Sequence, residues 1–117
     1  MRGEEAYWNS CALLAIHSAV SYSDALRAGL GDDHLSADDH QKAAESLRRL
    51  LPANGMQDQT GLQHLQHLTS KKSRVAYGDQ RLTGNDYQLL VTKAERFAKW
   101  ANNMGSLLKI EGWQNDD

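Results

Sequence analysis

Disulfides, proline breaks and long apolar runs are almost missing from this chain. Its one cysteine, Cys11, excludes a disulfide framework and a cysteine-based zinc site. Set in an apolar stretch, Cys11 reads as a small buried hydrophobe. A single proline, Pro52, argues against a loop-rich or all-β design. The formal net charge of -2 gives no global attraction to nucleic acid or an anionic membrane, so any such binding must come from a local patch. The stretch 11–28 is interrupted by His17, Ser18, Ser21, Ser23, Asp24 and Arg27, too often to span a bilayer. The opening MRGEEAYWN is acidic and amphipathic, not basic-then-apolar as in a secretory signal, and the expected setting is cytoplasmic. At 117 residues, positions 1–117 are expected to form one domain around one core.

What the chain does have is helix-forming pattern. Residues 6–31 make up its longest apolar-rich segment, with glycines only at the end, and a helix apolar around most of its girth belongs inside a bundle. Ser10, His17, Ser21 and Asp24 fall on one side of that helix and form a polar line. A second helix is expected from Ser36, where Asp39 completes a capping box. Its face is Ala37, His40, Ala44, Leu47, Leu50 and Leu51, and Pro52 stops it. A third runs from Asp58 or Thr60 to Tyr77 on Leu62, Leu65, Leu68, Val75 and Ala76, with Gly78 as its C-cap. Thr83 and Asp86 open a fourth, whose stripe is Tyr87, Leu90, Val91, Ala94, Phe97, Ala98, Ala101 and Met104, with Gly105 at its end. Leu107, Leu108, Ile110 and Trp113 then form an apolar tail that packs back on the bundle or on another subunit.

Short connections between four helices predict an all-α, four-helix, up-and-down antiparallel bundle. In that topology the first and third loops share one end. The expected pole gathers Asp24, the acidic loop after Gly31, His40, Arg74, Tyr77 and Arg81, beside the basic cluster Lys71, Lys72, Arg74 and Arg81. Its bland counterpart is a structural seam in which Asp24 pairs with Arg74, because an unpaired charge in a core is costly. His64 and His67 are three apart, a spacing metals use. With no carboxylate or cysteine beside them they read as a surface-helix pair, so neither a metal nor a cofactor is expected. In KKSRVAYG, Arg74 and Tyr77 share a helical side. They either frame a phosphate or a base, or form a solvated helix end with a packed tyrosine.

The segments WNSCALLAIHSAVSYSDALRAG, DDHQKAAESLRRLL, KKSRVAYG and TGNDYQLLVTKAERFAKWA, in this order, resemble HEPN domains, the small helical bundles of prokaryotic toxin–antitoxin and defence systems. The resemblance implies a four- or five-helix bundle that commonly forms homodimers. It also implies partners such as a small nucleotidyltransferase or an antitoxin and, in some members, metal-independent RNA cleavage. The family's ribonuclease signature is Arg, four to six residues, then His, near the third-to-fourth helix junction. Here that region starts at Arg74, and no histidine follows His67. Arg27 and His34 match the spacing formally but lie in the first loop, so the nuclease residues are not carried over.

Three readings follow. The first is a catalytically divergent HEPN-like module binding a nucleotide, an RNA phosphate or a partner protein at the pole. Lys72 and Arg74 would contact phosphate, Tyr77 would stack, and Asp24 would orient Arg74. The second is a metal-independent ribonuclease with His40 or His34 as acid–base and Arg74 stabilising the phosphorane-like charge. The third is a pure dimerisation or assembly domain.

Overall fold

The structure, a computed structural model, describes residues 3–32, 42–78 and 81–113. Among the described residues there are four helices and no strand: α1 (Gly3–Gly29), α2 (Ala43–Ala53), α3 (Leu62–Ala76) and α4 (Gly84–Leu107). They form the expected all-α four-helix bundle. α1 packs against all three other helices, and most extensively on α4.

The core follows the helical period. α1 buries Ala12, Ile16, Ala19, Val20, Ser23, Leu26 and Arg27, while α4 buries Tyr87, Leu90, Ala94, Phe97, Ala101 and Met104, most of the stripe legible in its sequence. Val91 and Ala98 sit half-buried at its edge. α1 differs from expectation in being one-sided. Ser10, His17 and Ser21 are exposed and Asp24 is half-buried, so the polar line is a solvent face and not an interior seam. The buried polar residues of α1 are Ser23 and Arg27, which fall in register with the apolar stripe. Cys11 is half-buried on the flank of α1, with its side chain beside the Tyr7 hydroxyl.

Local chemistry sets the helix ends. The expected box at the start of α4 is complete: Asp86 N–H donates to Thr83 Oγ1 at 3.2 Å, and Thr83 N–H donates to Asp86 Oδ2 at 2.8 Å. The Ser36–Asp39 box and His40 lie outside the described residues. α2 continues one residue past Pro52. Proline has no N–H for the Arg48 carbonyl four residues back, and the Gln59 side-chain amide donates to that carbonyl at 3.1 Å. Gly105 does not end α4, which runs on to Leu107. The tail folds back instead, Trp113 lying on Gly105 and Ile110 on Gly29, so both helices approach only where side chains are absent. Leu107 stays exposed.

Helix direction is where the structure departs from strict alternation. Asn9, near the start of α1, donates to the Val75 carbonyl at the end of α3 at 2.7 Å and lies 3.4 Å from the Tyr87 hydroxyl at the start of α4. At the other end, Tyr22 faces Asn102 and Trp113. α1 and α4 therefore run side by side in the same direction, with α3 opposed to both. The physical reason is the Gly29–Ile110 and Tyr22–Trp113 contacts, which tie the segment after α4 to the C-terminal half of α1.

Candidate anion-binding seam

That direction separates the residues expected to meet at one pole. Arg74 and Tyr77 lie at the end of α3, beside the N-terminal end of α1, as Asn9 and Val75 show. Asp24 is fifteen residues further along α1 than Asn9, about 22 Å at the helical rise. Asp24 therefore does not meet Lys72, Arg74 and Tyr77. His40 and His34 lie outside the described residues.

The end holding Asp24 carries a different pair. Arg27 is 1% exposed, and its Nε donates to Asp32 Oδ2 at 2.7 Å. The backbone supports this contact, since Asp32 N–H donates to the Arg27 carbonyl at 2.9 Å. Arg27, the arginine of the formal Arg-x6-His34 match, is thus held in the core by an ion pair rather than offered to solvent. Its place in the apolar register of α1 was the signal available in the sequence.

The cationic groups that do come together lie between α3 and α4. His64, His67, Lys71 and Arg74 are spaced three, four and three residues apart, one straight stripe about 15 Å long on α3. Because α4 runs antiparallel to α3, Lys93 and Arg96 face the first half of that stripe. His64 feels both Lys93 and Arg96, and His67 feels Lys93 and Lys71. Asp86 closes the far end, close enough to Arg74 and Lys71 to feel both. α3 itself carries no acidic residue. Lys72 lies one position off the stripe and is half-buried, while Tyr77 stands 87% exposed beyond its end.

Burial and neighbouring positive charge act together on the two histidines of the seam. Burial is the main cause holding His64 below the usual histidine pKa, and the charges of Lys93 and Arg96 push the same way. His67 is lowered by burial first, then by Lys93, Lys71 and His64. His64 Nδ1 is buried without a hydrogen-bond partner among the described residues. At the far end, the Thr83 backbone and hydroxyl hold the Asp86 carboxyl below its usual range, with a smaller contribution from Arg74 and Lys71. Sequence reading found both halves on α3, the histidine pair and KKSRVAYG, but not Lys93 and Arg96 opposite them. Those two sit at positions 93 and 96 of a helix whose apolar stripe dominates its pattern.

The concave surfaces of the molecule offer less. A groove of about 440 Å³ is lined by Ser18, Ser21, Tyr22, Ala25, Gly112 and Trp113, none of them charged. Another, of about 290 Å³, is lined by Glu4 and Glu5 with Trp8, Thr83, Gly84, Asn85 and Gln88, and would repel an anion. No group of three or more metal-ligating side chains occurs among the described residues, and no described helix is long and apolar enough to cross a membrane. No protein-family model matches the chain, and no curated protein or solved structure is significantly similar to it.

Proposed function

We propose that this chain is a catalytically divergent HEPN-like module that binds a phosphate-bearing ligand, a nucleotide or RNA strand, along the α3–α4 seam. The observation that carries the reading is the alignment of His64, His67, Lys71 and Arg74 on α3 against Lys93 and Arg96 on α4. Cations on two facing helices attract phosphate oxygens together, and arginine adds a fork that matches them. Tyr77, exposed past the end of the stripe, supplies a surface on which a base stacks. Relative to the sequence expectation, Arg74 and Tyr77 keep their roles. Lys71 replaces Lys72, and Asp24 has none.

The same reading sets the protein in the cytoplasm, in a toxin–antitoxin or defence system, acting as a homodimer or with a cognate nucleotidyltransferase or antitoxin. Support for a second copy comes from α1. Between Glu5 and Asp24 it carries no Lys, Arg, Asp or Glu, and on its outer face Tyr7 and Leu14 are 62% and 69% exposed. An uncharged helix face is compatible with its own twofold copy.

The test is binding of single-stranded oligothymidylate, measured over a range of salt concentrations. The comparison is wild type, Lys93→Ala/Arg96→Ala, and Arg48→Ala as a control. Arg48 bonds Gln66 on the other flank of α3 at 2.9 Å, away from the seam. Each cation that contacts a single strand contributes about 0.7 to the slope of log affinity against log salt, so the double variant should lose about 1.4. Equal affinity and slope in all three proteins would refute the seam as the ligand site.

A further inference from the structure

Two of the six groups in the seam are titratable near neutrality, and their placement gives them a role distinct from that of the fixed cations. His64 and His67 occupy the half of the α3 stripe that faces Lys93 and Arg96, where positive charge from the two helices converges. Lys71 and Arg74, further along, share their end with Asp86. The seam is thus graded, from a stretch with cations on both sides to one partly neutralised by a carboxylate. An anion gains most from the first stretch, where the half-buried His64 and His67 lie opposite Lys93 and Arg96.

We propose that His64 and His67 are ligand-linked proton acceptors: a phosphate-bearing strand seated between α3 and α4 draws protons onto them, so the seam holds anions more tightly in acid. The proposal rests on the seam reading above. Without ligand, an extra positive charge on either ring is opposed first by burial and then by Lys93 on α4, for His64 also by Arg96 and for His67 also by Lys71 and His64. Phosphate oxygens between the helices reverse that balance, since they attract the imidazolium and screen it from the lysines. α2 reaches α3 through Arg48, engaged with Gln66, and α1 reaches it through the neutral Asn9 amide at Val75. Asp58, before α3, accepts from the Thr60 N–H and hydroxyl at 3.0 and 2.7 Å.

Linkage fixes the sign. If the bound state carries more protons than the free state, affinity rises as pH falls through the histidine range, by up to about tenfold per pH unit for each proton taken up. A phosphodiester strand of thymidylates is the appropriate probe. Its backbone charge is constant over this range, so the pH dependence belongs to the protein.

Affinity is measured by calorimetry at low salt between about pH 8 and pH 6, bracketing the ordinary histidine pKa. Two buffers of different ionisation enthalpy report protons taken up on binding. Wild type is expected to tighten about tenfold or more over that interval with net proton uptake. For His64→Gln/His67→Gln, whatever its absolute affinity, the change over the same interval is expected to be less than about twofold, without proton uptake. Histidine ring resonances of the wild-type protein give the same answer without substitution: two rings should shift toward the protonated position when the strand is added near neutral pH. Binding with the same pH slope in wild type and double variant, or with no ring shift, overturns this inference while the seam reading stands. Absence of binding at every pH overturns both.

Discussion

Asp32→Asn is the substitution that most directly probes what holds the C-terminal end of α1. Arg27 is 1% exposed, and its Nε–Asp32 Oδ2 contact of 2.7 Å places both charges out of water. Arg27 Nη1 is buried without a hydrogen-bond partner among the described residues. Arginine cannot shed its proton at any accessible pH. Neutralising Asp32 therefore strands a full charge, and breaking such a pair costs about 3–5 kcal/mol. Asparagine still accepts one hydrogen bond, which puts the expected loss near the lower end, about 3 kcal/mol. With a urea dependence of about 1–1.5 kcal/mol per molar, the midpoint of unfolding should fall by about 2–3 M. The decisive companion is Arg27→Met/Asp32→Asn, which removes both charges, keeps most of the side-chain volume, and should regain most of the loss. A single variant within about 0.5 M of wild type would refute the reasoning. So would a double variant no better than the single, because the cost would then not be electrostatic.

Two further outcomes test the packing behind the seam and the outer face of α1. Gly61 caps α3 in a helical conformation, and a methyl there would overlap the Trp100 ring that sets the α3–α4 spacing. Gly61→Ala should cost about 1–3 kcal/mol from overpacking, less about 0.4–1 kcal/mol regained from the unfolded chain, and should also weaken oligothymidylate binding. Denaturation showing no net loss would mean that the ring yields freely. Leu14, 69% exposed on the uncharged face of α1, should tolerate Leu14→Lys without loss of fold. In sedimentation the variant should run at the 13.1 kDa monomer mass while wild type runs at twice that. A monomeric wild type at high concentration would count against a dimer formed through α1.

The sequence by itself determined the elements. Apolar residues at helical spacing located α1, α3 and α4, and the Thr83–Asp86 box marked the start of α4 within a residue, because both signals are local and depend only on neighbours along the chain. The apolar tail was legible for the same reason, although not that Trp113 would seat on Gly105 and let α4 run past it. Tertiary structure decided how the helices are directed. Nothing local distinguishes α1 parallel to α4 from α1 antiparallel to it. The choice lies in contacts between residues more than sixty positions apart, such as Asn9 with Val75 and Gly29 with Ile110. That choice moved Asp24 away from Arg74. The burial of Arg27 against Asp32, five positions on, is by contrast a local pairing at the end of α1. Lys93 and Arg96 gained meaning from helix direction: each is an ordinary helix-surface cation until the antiparallel pairing of α3 and α4 sets it against His64 and His67. Electrostatic sites assembled across helices depend on distance in space, which sequence spacing does not encode.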